Sequence, residues 1–236
     1  MHTEWLTYFD DQTELSGYFT KPDNEKNYPL ILIAHAWGGC DEFVCQKARN
    51  LSDLGYAAFA LDMYGKGIRG SSVEENSRLM TPFMEDRDYL LKRIEAALKF
   101  SKELPNINPQ KIGAMGFCFG GLCVLDLARS GAELKGVVSF HGLLNRPENE
   151  PIKNIPAKIL ALHGHADPMG PPEQVQRFQT EMEQAEADWQ MHIYGHTMHA
   201  FTNPQANDQS LGLIYNASAD QRAWQAMTSF FEEIFK

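Results

Sequence analysis

Lys111-Ile112-Gly113-Ala114-Met115-Gly116-Phe117-Cys118-Phe119-Gly120-Gly121-Leu122-Cys123-Val124-Leu125-Asp126-Leu127-Ala128 is the stretch from which the fold can be read. An apolar run of strand character comes first. A cysteine with glycines two places before and two places after it follows, and then a segment with the character of a helix. A strand, a glycine-flanked nucleophile and a helix in that order form a nucleophile elbow, here with cysteine where serine is usual. The turn forces its central residue into a strained backbone conformation, and side chains two positions away would collide with neighbouring backbone. It also lifts the sulfur above the sheet edge and sets it at a helix N-terminus, where the dipole favours thiolate. The alternative is a small buried hydrophobe in a glycine-rich turn, and what surrounds the elbow strengthens the functional reading.

Upstream, Trp5-Leu6-Thr7-Tyr8-Phe9 and Leu15-Ser16-Gly17-Tyr18-Phe19 are short aromatic strands joined by a polar turn, which predicts an antiparallel hairpin at a sheet edge. Pro29 to Ala34 is continuously apolar, as strands covered on both faces are. It runs into the loop His35-Ala36-Trp37-Gly38-Gly39. The spacing predicts a helix over 42–54, a strand over 56–61 and the longest amphipathic helix over 83–102. Between them, Gly65-Lys66-Gly67-Ile68-Arg69-Gly70 matches a dinucleotide-binding pattern in letters only. The fingerprint needs a helix opening directly from a tight strand turn, and here three residues intervene before the first glycine. Residues 62–82 are therefore expected as a loop bordering a small pocket. Downstream, strands are predicted over 134–140, 156–162 and 189–194, helices over 173–185 and 219–235, and a loop over 142–156.

Strands alternating with helices after an opening hairpin imply an α/β protein with a mostly parallel central sheet and helices on both faces. No linker, repeat or low-complexity tract breaks the 236 residues, so residues 1–236 are expected as a single domain without a large lid. A formal charge of −10 argues against nucleic acid or an anionic membrane as a partner. The start, Met1-His2-Thr3-Glu4-Trp5, lacks the basic-then-apolar pattern of a signal peptide, and no apolar run is long enough to span a bilayer. Four cysteines in a chain of this length suit reduced thiols, and the cytoplasm is the expected location.

A nucleophilic cysteine needs a base within hydrogen-bond reach and a third group to orient that base. In the elbow arrangement the order along the chain is nucleophile, acid, histidine, each beyond the end of its own strand. Cys118, Asp167 and His199 fit both order and position. Asp62 also ends a strand and competes with Asp167, but it precedes the nucleophile. His163-x-His165-x-Asp167, with His192, His196 and His199 downstream, could also be read as metal ligands. No helical H-E-x-x-H is present, and Gly195 interrupts the segment that would hold a rigid pair. A catalytic metal is therefore not expected. The oxyanion donors expected are the backbone N–H of Phe119, after the nucleophile, and one from the His35–Gly39 loop, taken as Trp37. Cys40, Cys45 and Cys123 carry no elbow and are read as structural.

With these residues in view, the chain resembles the dienelactone hydrolase family of α/β-hydrolases over nearly its whole length. The resemblance rests on Gly116-Phe117-Cys118-Phe119-Gly120-Gly121, on Gly164-His165-Ala166-Asp167-Pro168 and on His199-Ala200-Phe201. It implies a Cys118-His199-Asp167 triad, no cofactor, and cleavage of small esters or lactones through a thioester acyl-enzyme. The family carries a thiol-activating glutamate in the loop after the third strand and a substrate-binding arginine four residues after the catalytic histidine. Here those positions are Ala36 and Asn203, which points away from dienelactone itself. The partner expected is a small ester or lactone, on a monomer or homodimer. The rival reading is a weakly catalytic or non-catalytic member whose Cys118 is a redox-sensing or ligand-binding thiol.

Overall fold

In the computed structural model, which describes residues 1–147 and 150–236, the aromatic segments at the start pair as a hairpin. Strand β1 (His2–Asp10) lies antiparallel to β2 (Thr13–Lys21), with Trp5 opposite Tyr18 and Tyr8 opposite Leu15. Its two-residue turn places Asp11 at φ 48°, the left-handed backbone that tight hairpins require. Positions 148 and 149 of the loop expected over 142–156 lie outside the described residues.

The chain gathers into two compact units, Met1–Met115 and Gly116–Lys236. The first continues from the hairpin through β3 (Tyr28–Ala34), α1 (Glu42–Asp53), β4 (Ala57–Ala60), α2 (Val73–Glu85), α3 (Arg87–Lys102) and β5 (Ile107–Phe117). Its strands stand in the order β1-β2-β4-β3-β5. Strand β4 runs antiparallel to β2 and parallel to β3. Every residue of β4 and all of β3 but Pro29 is buried, which is why these strands read as unbroken apolar runs. Helix α1 turns Val44, Ala48 and Leu51 inward, and α3 does the same with Leu90, Ile94, Ala97 and Leu98. The guanidinium of Arg93, 1% exposed, donates to Asp10 Oδ2 at 2.9 Å and to the Met63 carbonyl at 2.7 Å, tying α3 to the hairpin and to the end of β4.

One expectation fails here. The helix predicted over 83–102 is two helices, and α2 occupies much of the segment expected as loop. Asp86 leaves helical backbone (φ −124°, ψ 97°), and its carboxylate accepts from the Tyr89 N–H at 2.9 Å, capping α3. Of α2 only Phe83 is buried, and Pro82 lies inside it, a residue that ordinarily marks the end of a helix.

Strand β5 runs on into the second unit, which holds α4 (Phe119–Arg129), β6 (Gly136–Phe140), β7 (Lys158–Gly164), α5 (Pro172–Gln184), β8 (Trp189–Tyr194), a short antiparallel pair β9 (Asn207–Asp208) and β10 (Leu213–Ile214), and α6 (Ala217–Ile234). The order here is β5-β6-β7-β8, with β6, β7 and β8 parallel. This is the mostly parallel sheet with an antiparallel opening hairpin that the alternation of strands and helices implies. Helix α4 is buried from Phe119 through Ala128. Among the described residues no helix is long and apolar enough to cross a membrane.

Candidate active site

Cys118 sits between the last residue of β5 and the first of α4, at φ 55° and ψ −116°. For a residue with a Cβ this is strained backbone, which persists only where the surroundings over-determine it. They do so here. The Cys118 N–H donates to the Phe140 carbonyl at 3.0 Å, and its own carbonyl accepts from Gly121 at 2.9 Å. A Cβ on Gly116 would lie 2.0 Å from the Gly120 carbonyl oxygen, and one on Gly121 would lie 2.6 Å from Ser139 Oγ and 2.7 Å from Gly142 Cα. These glycines let β5, α4 and the end of β6 approach each other backbone to backbone. Cys118 is half-buried, whereas Cys40, Cys45 and Cys123 are buried.

The acid loop leaves β7 at Gly164. A Cβ there would lie 2.4 Å from the Thr197 carbonyl oxygen, so this glycine seats the acid loop against the loop that carries His199. Ala166 N–H donates to that same carbonyl at 2.9 Å. Asp167, 3% exposed, accepts from the Met169 N–H at 2.8 Å through Oδ1 and bonds His199 Nδ1 at 2.8 Å through Oδ2. The second bond fixes the imidazole ring, since its Nδ1 is committed to the carboxylate.

His199 is 1% exposed and follows β8; its carbonyl accepts from the Ile214 N–H at 3.1 Å. Burial by itself would lower the imidazole's pKa. The charge of Cys118, the hydrogen bond to Asp167, the interaction with the Cys118 side chain and the charge of Asp167 outweigh it and raise the value to about 10. Nε2 is buried and makes no hydrogen bond of standard geometry; the Cys118 side chain is the group it interacts with.

The other candidates from the sequence fall elsewhere. Asp62 is fully buried and spends its carboxylate on four backbone N–H groups, those of Tyr64 and Gly65 at 2.9 Å on Oδ1 and of Ser16 at 3.0 Å and Gly67 at 2.9 Å on Oδ2. The amides of the glycine-rich loop that a nucleotide would need are thus bound internally. His163 is buried and its Nε2 bonds the Gly170 carbonyl at 2.8 Å, while His165, His192 and His196 are exposed. Among the described residues no three His, Cys, Asp or Glu side chains converge as a metal would require. Asn203 Oδ1 accepts from Gln205 N–H at 3.0 Å, a local turn contact at the position where the family's arginine falls.

The His35–Gly39 loop, in the first unit, is held from within that unit. The Met63 N–H donates to His35 Nε2 at 3.2 Å, so the ring's proton is on Nδ1 and is given to the Ala36 carbonyl at 2.6 Å. Burial lowers the pKa of His35, consistent with this neutral ring. The Trp37 carbonyl accepts from the Tyr64 hydroxyl at 2.8 Å. Sequence reasoning missed His141, at φ 39° beyond β6, whose ring packs edge-on to His199 with centroids 5.1 Å apart. Its Nε2 pairs with Thr202 Oγ1 at 2.8 Å. The signal available was its place at a strand's C-terminal end, the same signal that singled out Asp167 and His199.

A strained thiol-bearing turn between strand and helix, in a mostly parallel sheet, defines an α/β-hydrolase. The dienelactone hydrolase family model matches residues 15–235. The chain belongs to that family, whose members are carboxylic ester hydrolases. A solved structure of a dienelactone hydrolase-like promiscuous phosphotriesterase from metagenomic libraries superposes with a TM-score of 0.95 at 32% identity, covering 100% of this chain and 99% of that one. An uncharacterised protein of Caenorhabditis elegans is 40% identical over 64% of this chain and 98% of its own length. A carboxymethylenebutenolidase homolog of Xenopus tropicalis is 24% identical over 89% of this chain and 86% of its own.

Proposed function

We propose that this protein hydrolyses small carboxylic esters or lactones with Cys118 as nucleophile, His199 as base and then acid, and Asp167 as the carboxylate that orients His199. The observation that supports it most is the buried Asp167–His199 pair at 2.8 Å, beside a cysteine held at φ 55°. In the reading proposed, the Cys118 sulfur attacks the acyl carbon and the carbonyl π electrons move onto oxygen. The Phe119 N–H holds that oxyanion; such a donor is worth roughly 3–4 kcal/mol. As the tetrahedral adduct collapses, the C–O bond breaks and His199 gives its proton to the leaving alkoxide. His199 then takes a proton from water, whose oxygen attacks the thioester, and the acid departs as the thiolate re-forms.

Ala36 and Asn203 replace the two family residues tied to dienelactone, which favours substrates lacking its carboxylate. The named activity of the solved relative places a phosphotriester beside esters and lactones in the substrate panel. The test is hydrolysis of a short-chain p-nitrophenyl ester under reducing conditions, for the natural protein and Cys118→Ala, with and without chelator. A fall of roughly 10³-fold or more in Cys118→Ala, with no response to chelator, is expected. Turnover that survives the substitution ends the proposal.

A further inference from the structure

The end of β6 touches both partners of the proposed Cys118–His199 pair. The Phe140 carbonyl accepts from the Cys118 N–H at 3.0 Å, and the ring of the next residue, His141, packs edge-on to that of His199, with centroids 5.1 Å apart and planes at 67°. His141 is itself held from several sides. It is buried, its N–H donates to the Leu162 carbonyl at 2.8 Å, and its Nε2 pairs at 2.8 Å with Oγ1 of Thr202, which is fully buried. The Phe201 ring meets it edge-on, with centroids 5.2 Å apart. His141 stands at φ 39° and Ala200, next to His199, at φ 55°. Both are left-handed backbone at residues with a Cβ, a strain that persists where packing over-determines it and gathers at functional sites.

We propose that His141 is a positioning residue for the hydrolytic reaction: its ring, fastened to Thr202, keeps the His199 imidazole turned so that Nε2 faces the Cys118 sulfur. The proposal rests on the Cys118–His199–Asp167 reading and deepens it. Asp167 Oδ2 holds His199 at one ring atom, Nδ1, at 2.8 Å. An sp² oxygen accepts over a broad range of directions, so that bond leaves the imidazole plane free to tilt about it. A ring packed edge-on removes this freedom, because tilting either plane gives up the preferred edge-to-face contact. The bond to Thr202, three residues after His199, puts His141 and the base's own loop in one frame. The carbonyl of the Phe140–His141 peptide meanwhile holds the N–H of the nucleophile. One dipeptide thus sets the nucleophile's backbone and the base's ring relative to each other. A displacement of about 1 Å in such a pair costs on the order of 10²-fold in rate.

Three variants separate the ring from its tether. His141→Phe keeps an aromatic ring and loses the bond to Thr202, Thr202→Val removes the same bond and leaves His141 in place, and His141→Gln keeps a polar group for Thr202 and loses the ring. Each is measured for kcat and KM on the p-nitrophenyl ester, and for iodoacetamide alkylation of Cys118, followed in the tryptic peptide Ile112–Arg129. The alkylation rate at neutral pH is taken relative to that at about pH 10, where a free thiol is ionised, so the ratio reports the thiolate that His199 supports. The result expected for His141→Gln is kcat lower on the order of 10²-fold with KM within about threefold, and an alkylation ratio lower by about tenfold. Thr202→Val moves both readouts the same way by roughly three- to tenfold, and His141→Phe stays within about tenfold of the natural protein. Three results overturn the proposal: natural kcat and alkylation ratio in folded His141→Gln, a loss confined to KM, or His141→Phe falling as far as His141→Gln. If His141→Gln does not fold, Thr202→Val decides, and unchanged readouts there overturn the proposal as well. A natural protein without turnover ends the hydrolase reading alone, and the alkylation ratio still decides for His141.

Discussion

Asp62→Asn and Asp167→Asn are nearly isosteric changes at two buried carboxylates, and the structure assigns them opposite consequences. Asp62 accepts four backbone N–H bonds, two on each oxygen. An Asn there keeps one carbonyl oxygen for two of these amides and turns an NH₂ toward the other two. Hydrogen bonds to a charged acceptor contribute about 1.5–3 kcal/mol each. Losing two of them costs roughly 3–6 kcal/mol. For a chain of this size about 2–4 °C is lost per kcal/mol, so a fall in Tm on the order of 10 °C is expected. Asp62 serves no reacting atom in this reading, so the protein that remains folded at low temperature keeps its turnover within a few-fold. Asp167→Asn removes the acceptor that holds His199 Nδ1 at 2.8 Å, and turnover falls by roughly 10³–10⁴-fold. The assay pairs urea unfolding with ester hydrolysis on the same preparations at 15 °C. If Asp62→Asn abolishes turnover in fully folded protein while Asp167→Asn preserves it, the assignment of the acid is wrong.

Because His199 is raised from 6.5 to about 10 in the folded protein, its protonation stabilises the fold in full below about pH 6.5, and that contribution disappears as pH rises through about 10. The urea midpoint of the natural protein should fall across that window relative to His199→Asn; parallel profiles would show that the raised pKa is not there. Gly116→Ala drives a Cβ to 2.0 Å from the Gly120 carbonyl oxygen, a backbone atom with no room to yield, whereas a Cβ on Gly195 meets nothing within 4 Å. Thermal unfolding should show Gly116→Ala lost as folded protein or lower by about 10 °C or more, with Gly195→Ala within about 2 °C of the natural protein.

The alternation of strands and helices, the opening hairpin and the elbow were legible in the sequence because each is written locally. Unbroken apolar runs mark strands buried on both faces, and glycines two places either side of Cys118 mark a turn with no space for side chains. Helix α2 was not legible, since it buries only Phe83 and carries Pro82 in its interior, and the break at Asp86 depends on a side chain capping the next helix. Asp62 and Asp167 both end strands, and the letters alone rank them only by order. Tertiary structure separates them, because a carboxylate's partners are set by which loops the fold brings to it. Asp62 meets four amides, and Asp167 meets the Nδ1 of a histidine 32 residues further along the chain. His141 beside His199 is of the same kind. Local pattern determined the elements; contacts between residues distant in the chain decided which polar side chains meet.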